Sequence, residues 1–559
     1  MEVKNPRKTP DDLDTQEDYS SRLPIIRRRR LPPGVAESAI ACVAAVGLFG
    51  AIVFATSGGQ QASEPQMAAA VGGGLSGLGS GSSASSGLGG SVCDVDSADG
   101  NKLSCLFAQR EKSCAPIQGE LCDADLEIAR IAWKYFENNY NPETGLVNSV
   151  NNYPVTTMWD TGSALAAYVA ARDFGFIEKK EFDDAMVALL ETLATMELFN
   201  GEAPNKVYHT QTKLMVDYNN NPAPDGIGVS ILDLARLVAW TNQLQCRHPK
   251  YYNQVNSVLS RWDYTRMIDN GQMYGMARDA DNPEQIDILQ EGRLGYEQYA
   301  GKIFEEFGFN QDVSAYYENE FRTSTEIMGI DIVHDVRDPS ELGANNYVVT
   351  ESYAMDAMEL GLDEQNTPLL TNIFELSKKR WKETGIVTAI SEDNIDRAPW
   401  FLYNTIFNAG QAFNTTTDTG VQYDELKSVS TKAALSMALL FPEDEYSQAL
   451  IAAVESAYDP EAGWYSGVYE NGAGYNTAIT ANTNGVIMTG ILHKKYGSLL
   501  DYCKECERTL DIKSDLIVKE TERREKKKKS IAKLTTAKEE EIECLPCKLE
   551  EQLAEGDLE

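Results

Sequence analysis

From Asp123 to about Gly497, apolar residues recur at helical spacing, and each run gives way to a polar loop of Gly, Asn, Asp and aromatic residues. Leu126, Ala129, Ala132, Trp133 and Phe136 fall on one face of a 3.6-residue period, the stripe a helix buries against a core. The pattern returns over 164–174, 182–196, 231–244, 252–262, 294–307, 353–362, 369–381, 399–407, 431–440, 446–458 and 483–496. That makes roughly a dozen helices, the number an (α/α)6 toroid needs. Gly175 stands where a helix would end on a left-handed residue, and Asp396 with Pro399 where one would begin. Period-two alternation is scarce, and Tyr347–Val349 is the best strand candidate. The expected class is all-α: a toroid-like domain over 123–498, one N-terminal transmembrane helix and a helical C-terminal tail.

Outside that domain the pattern breaks. Residues 1–36 are polar and end near the basic run Arg27–Arg30, after which Ala39–Ala55 is apolar without a charge. This stretch is just long enough to span a bilayer, and its basic flank places the N-terminus in the cytoplasm. Residues 37–57 are expected to be an uncleaved signal anchor, with Val53 and Ala55 as the small residues of a cleavage site in the rival reading. Residues 58–92, rich in Gly, Ser and Ala, read as a flexible tether. Everything beyond the anchor is then exported.

Of ten cysteines, Cys42 lies in the apolar run and Cys246 stands alone. Cys93, Cys105, Cys114 and Cys122 form one cluster, over 93–122, which an oxidising compartment would turn into two disulfides. Cys503, Cys506, Cys544 and Cys547 form a second, in the charged tail 499–559. Two close pairs of thiols fit disulfides or a tetrahedral zinc, and the expected oxidising compartment favours disulfides. The Glu- and Lys-rich stretch between them, with Arg523, Arg524 and Lys526–Lys529, is a solvated helix or a docking handle for a protein partner.

A formal net charge of −35 argues against nucleic acid and other polyanionic partners, since such binding needs Lys and Arg to neutralise phosphates. The four His are scattered, and no His-Glu-x-x-His pair, phosphate-binding Gly loop or Gly-x-Ser-x-Gly nucleophile occurs. Asp94–Asp96 and Asp279–Asp281 lack the later Gly and Glu of a calcium loop, so no metal or cofactor is expected.

Five loops carry the candidate chemistry. The first, Thr156–Asp160, opens a helix, where Asp160 is either an N-cap or a site carboxylate beside Trp159. The stretch 208–228, with Tyr208, His209 and Asp217, has a plain surface loop as its bland reading. In Gln290–Tyr299, Glu291 and Arg293 are either a structural pair or a catalytic acid and its neighbour, with Tyr296 following. The segment Thr388–Trp400 concentrates Glu392, Asp393 and Asp396 ahead of Trp400 and Tyr403. Last, Trp464, Tyr469 and Glu470 lead to Asn482 and Asn484. Sugars present apolar C–H faces with a rim of hydroxyls, so aromatic rings beside acids and amides suit them; glycosidic cleavage further needs two carboxyl groups flanking the bond.

In this order, Asn141-Pro-Glu-Thr-Gly-Leu-Val147, Trp159-Asp160, Gln290-Glu-Gly-Arg-Leu-Gly-Tyr296, Ser391-Glu-Asp-Asn-Ile-Asp396 and Asn482-Thr-Asn-Gly485 resemble the bacterial family catalogued as domain of unknown function 3131. The resemblance covers about 126–496 and implies a glycoamylase-like helical toroid, a bacterial envelope setting and a carbohydrate ligand. By position it points to Asp160, Glu291, Glu392, Asp396 and Glu470 as central carboxylates. Relatives often carry Leu-Glu where this chain has Met488-Thr489. The leading expectation is a periplasmic glycoside hydrolase on the bacterial inner membrane, acting on a β-glucan or other envelope polysaccharide. Glu291 would be its acid and Asp160 or Asp396 its base. The rivals are a polysaccharide-binding scaffold of a synthesis or export system, and a lyase or epimerase using Tyr208 or His209 as base.

Overall fold

The computed structural model describes residues 121–501 apart from 280, 281, 283, 292 and 338–345, together with 503, 510, 512 and 513. The apolar run Ala39–Ala55, the tether, Cys93, Cys105, Cys114 and the tail with Cys506, Cys544 and Cys547 lie outside the described residues. Among the described residues no helix is long and apolar enough to cross a membrane.

Eleven α-helices lie among the described residues. They are α1 (Asp123–Asn139), α2 (Met158–Phe174), α3 (Lys179–Thr195), α4 (Ile231–Arg247), α5 (Tyr252–Leu259) and α6 (Tyr296–Glu306), then α7 (Thr350–Met355), α8 (Asn366–Thr384), α9 (Thr431–Leu440), α10 (Glu445–Val454) and α11 (Ala481–Tyr496). Six of them close a ring in which α2 packs on α4, α4 on α6, α6 on α7, α7 on α9, α9 on α11, and α11 on α2 again. Outside it, α1 leans on α11 and α2, α3 on α2, α5 on α4, α8 on α7 and α10 on α9.

The sequence sorts the two layers. Every residue of α2 from Met158 to Ala171 is buried, and the run is rich in Ala, as a helix with neighbours on all sides requires. By contrast, α3 buries one stripe, Phe182, Ala185, Met186, Leu189, Leu190 and Leu193, and turns its charged residues outward. Each large side chain of that stripe contributes on the order of 1.5–3 kcal/mol through burial. As expected, α2 ends on Gly175 at φ 74°, a left-handed position that spares glycine the Cβ penalty.

The connections are less simple than an all-α reading. They hold antiparallel hairpins: β1 (Gln272–Arg278) with β2 (Ile286–Gln290), β3 (Arg322–Ile327) with β4 (Ile330–Asp335), β5 (Glu392–Asn394) with β6 (Phe401–Asn404), and β7 (Gly463–Tyr469) with β8 (Tyr475–Ile479). The hairpin β3–β4 stands in the chain between ring helices α6 and α7, and β4 packs against α8. The helix expected over 399–407 is instead β6: Phe401 to Asn404 pair with Glu392–Asn394 on one side and Thr415–Thr416 on the other. Asp396 and Pro399 imitate a helix start, but cross-strand pairing decides the segment.

The cysteines also differ from expectation. Cys246, at the end of α4, is disulfide-bonded to Cys503, 257 positions away, which removes Cys503 from a four-thiolate zinc site and from pairing within its own cluster. Cys122 carries a free thiol that donates to Asp125 at 3.0 Å, so it is not part of two disulfides in the first cluster.

Candidate functional site

The six ring helices present their first turns to one end of the ring, where Asn482 meets Trp159 and Glu351, Lys432 meets Glu351, and Tyr296 meets Trp159. Those turns carry Trp159 and Asp160 (α2), Asp233 (α4), Tyr296 (α6), Glu351 (α7), Lys432 (α9) and Asn482 (α11). Helix N-termini favour acids and amides, whose oxygens meet the unpaired N–H groups and the positive end of the dipole. Thr157 rather than Asp160 is the cap of α2: its hydroxyl accepts from the Asp160 N–H at 3.0 Å and donates to Asp160 Oδ2 at 2.8 Å.

Glu291 follows β2 and accepts the Ile231 N–H at 2.9 Å through Oε2, at the mouth of α4. Its carboxyl lies directly on Gly275 of β1, where a Cβ would sit 2.4 Å from Oε1. Arg293 lies over the rings of Tyr296 and Tyr347 at 5.5 and 4.8 Å, donates to the Tyr347 hydroxyl and stands 3.7 Å from Glu392. The Tyr347 hydroxyl passes a hydrogen bond to Glu392 Oε2 at 2.8 Å, and its ring meets Tyr403 at 4.4 Å. Lys432 Nζ binds Glu351 at 2.7 Å, Asp393 at 3.3 Å and the Glu392 carbonyl at 2.6 Å. Asn482 joins the two halves: Oδ1 accepts from the Trp159 indole at 3.1 Å and Nδ2 donates to Glu351 at 2.9 Å. The Trp159 ring stands edge-on to Tyr296 at 5.6 Å.

Six carboxyl groups, Asp160, Asp233, Glu291, Glu351, Glu392 and Asp393, thus gather with three cations, Lys206, Arg293 and Lys432, all buried. The excess of acids forces protons onto some of them. Burial pushes Asp160 up to about 6 despite hydrogen bonds from Ser149 and Thr157, and Asp393 up to about 7 despite Lys432. Burial raises Glu291 and Glu392 too, against the pull of Lys206 and Arg293 on the former and Arg293 on the latter. Asp233 is raised well above the usual carboxylate range by burial and by Glu291 and Asp160. Asp160, Glu291 and Arg293 keep the largest exposure of this charged group, 8% each.

Other candidates lie elsewhere. Asp396 sits on the turn between β5 and β6, and its oxygens are taken by the Tyr469 hydroxyl at 2.8 Å, Arg397 at 2.7 Å and the Thr477 N–H and hydroxyl at 3.0 Å. These partners, Arg397 foremost, hold it below the ordinary carboxylate range, so it stitches that turn to β8. Tyr469 is committed to the same contact, beneath the Arg397 guanidinium at 4.8 Å. Trp400 is half-buried on that turn. Glu470 is held by Arg380 through two bonds of 2.8 Å. Trp464 is fully buried, with its indole on the Ile128 carbonyl at 3.0 Å, and Asn484 accepts the Trp464 N–H at 2.9 Å; both belong to the core under β7. Tyr208 is buried and bonded to the Glu197 carbonyl at 2.6 Å.

Sequence reasoning did not single out Asp233, Glu351, Lys432, Lys206 or Tyr347. The signal was present as a recurrence: Ser230, Thr350, Ser430 and Thr480, like Thr157, each stand at the start of a ring helix just before its polar first-turn residue.

A family model described as "Protein of unknown function (DUF3131)" matches residues 127–497. No curated protein matches the chain. Among solved structures, similar ones include a candidate glucoamylase from Bacteroides caccae, at 14% identity and a TM-score of 0.53 over 70% of this chain and 97% of that one. An endo-β-1,2-glucanase from Chitinophaga pinensis in complex with sophorotriose and glucose aligns at 12% identity and a TM-score of 0.53 over 70% and 97%. A β-1,2-glucanase from Parabacteroides distasonis aligns at 11% identity and a TM-score of 0.50 over 71% and 60%. At these identities the likeness is one of fold.

Proposed function

The chain belongs to the DUF3131 family, and from that membership together with the ring-end geometry we propose that it is a carbohydrate-active protein on an (α/α)6 toroid. The finer reading is a glycoside hydrolase acting on a β-glucan or other envelope polysaccharide. One observation carries it: carboxyls from distant loops converge beside Trp159 and Tyr296 at the end of the ring, and two of them, Asp160 and Glu291, keep the largest exposure of the group, 8% each, with a raised proton affinity. The solved glucanases of similar fold support it.

In this reading Glu291, whose proton affinity burial raises, donates its proton to the glycosidic oxygen as the bond to the anomeric carbon breaks. Asp160 accepts a proton from the incoming water. Its Thr157 hydrogen bond aims the carboxylate, and Lys432 and Arg293 balance the charge of the buried Glu351 and Glu392 beneath it. Asp396 takes no part, since its oxygens are engaged. The domain would be tethered by residues 37–57 and face the periplasm, a reading supported by the Cys246–Cys503 disulfide, which persists in oxidising compartments.

The test is release of reducing ends from a panel of envelope glucans, β-1,2-glucan included. Turnover by the wild type with a loss of about 10²–10⁴-fold in Glu291→Gln and in Asp160→Asn is expected. Saturable glycan binding with no turnover in any of the three would replace the hydrolase with a polysaccharide-binding scaffold.

A further inference from the structure

At the opposite end of the ring, where α2 and α4 finish, a cavity of about 300 Å³ opens to solvent. It is lined by Arg172 in the last turn of α2, Lys179 at the first position of α3, Arg247 at the end of α4, and His248 and Lys250 just beyond it. Arg172 lies twelve positions after Asp160 on one helix, roughly 18 Å at 1.5 Å per residue, so this cavity is separate from the carboxylate cluster.

Its charge runs against the molecule. The chain has 85 acidic and 50 basic residues, yet this cavity is lined by four permanent cations and one carboxylate, Asp183. Asp183 is shared by Lys179 at 2.6 Å, by Lys250 and by the Tyr251 hydroxyl at 2.9 Å, and Asp173 outside the lining takes Arg247 at 3.3 Å. Asp183 and Asp173 thus hold Lys179, Lys250 and Arg247. Among the described residues, Arg172 has a long bond of 3.4 Å to the Ile177 carbonyl and no carboxylate partner. Phe182, whose ring meets His248 at 4.8 Å and an angle of 48°, supplies an apolar wall.

We propose that this cavity is a binding site for an anionic ligand bearing a phosphate-type group. Crowded Lys and Arg side chains gain a counter-charge, and guanidiniums present paired N–H donors to tetrahedral oxyanions. The group can arrive on a small soluble molecule or on the headgroup of a membrane lipid.

The test uses the full-length chain and two probes: inorganic phosphate by isothermal titration, and co-sedimentation with vesicles of phosphatidylglycerol against phosphatidylcholine alone. Three variants are compared with the wild type: Arg172→Gln with Lys250→Gln, Lys179→Gln with Lys250→Gln, and Lys180→Gln. Lys180 is exposed and is the neighbour of Lys179 on α3 but does not line the cavity, so it controls for charge alone. Circular dichroism establishes that each is folded. Saturable phosphate binding, weakened at least ten-fold in both double variants and unchanged in Lys180→Gln, assigns a soluble ligand. Selective binding to phosphatidylglycerol with the same variant pattern assigns a lipid headgroup. Neither probe binding, or equal weakening in Lys180→Gln, overturns the proposal.

Discussion

At the scale of single residues, burial rather than identity decides what each carboxyl does. Asp160 is raised from 3.8 to about 6, so it holds its proton more tightly folded than unfolded. The stability linked to that proton is fully present below about pH 4 and is lost as the pH rises through about 6, a change of about 3 kcal/mol at most. Asp160→Asn keeps an acceptor for Thr157 but cannot ionise. Chemical denaturation should show the variant gaining on the wild type between pH 4 and pH 8, and parallel profiles would exclude the buried-acid account. Gly275 makes a second case, since its missing Cβ is the space in which the Glu291 carboxyl lies. Gly275→Ala is expected to leave the melting temperature within a few degrees yet cost at least ten-fold in glycan turnover. Unchanged turnover would mean that Glu291 does not depend on this seat. The same dependence on surroundings explains what the sequence hid. Trp159 with Asn482 and Trp464 with Asn484 are both aromatic–amide pairs, but the first lies at the ring end and the second inside the core. Nothing in residue type separates them; the partner across the fold does.

At the scale of elements, most ring helices were legible because their apolar runs are long and periodic, and Gly175 marked one end, whereas their Ser and Thr starts went unread. The hairpins were not, being short and partly exposed: β2 reads Ile-Asp-Ile-Leu-Gln and takes its shape from pairing Tyr274 through Arg278 of β1. One feature of the ring was also invisible. Arg236 of α4 is wholly buried, bonds Ser163 of α2 at 3.0 Å and Glu359 at 2.7 Å, and lies under the Trp159 ring at 5.1 Å. Glu359 belongs to a π-helical turn, Asp356–Leu360, that continues α7, and it also takes the Tyr299 hydroxyl of α6 at 2.5 Å. The pair therefore ties four ring helices together just below the site. Removing one partner leaves a buried charge without its counter-ion, so Arg236→Met or Glu359→Gln alone should cost about 3–5 kcal/mol. The double variant Arg236→Met with Glu359→Gln should cost less than the sum, because no uncompensated charge remains. Urea denaturation of all three checks it, and strict additivity would refute the pairing.

For the molecule as a whole, the disulfide fixes a boundary that composition places elsewhere. The segment after α11 returns to the ring: the Leu500 N–H bonds the Glu359 carbonyl at 2.8 Å, Gln243 of α4 donates to the Leu500 carbonyl at 3.2 Å, and Cys503 closes the bond to Cys246. Leu499, Leu500 and Cys503, and beyond them Leu510 and Ile512, are thus buried with the folded domain, past the boundary at 498 that composition suggests. A cross-link spanning 257 positions restricts the unfolded chain strongly, by roughly 5.5 kcal/mol in the chain-entropy model. Cys246→Ser with Cys503→Ser should therefore lower the melting temperature measurably. It should also raise amide exchange first in residues 499–503 and at the end of α4, while the first turns of the ring helices, at the other end, stay protected and glycan turnover persists. A uniform rise across the ring would mean that the bond supports the whole domain rather than its closing segment. Unchanged exchange and stability, with both thiols reactive towards alkylation in the wild type, would remove the disulfide and with it the physical support for an oxidising compartment.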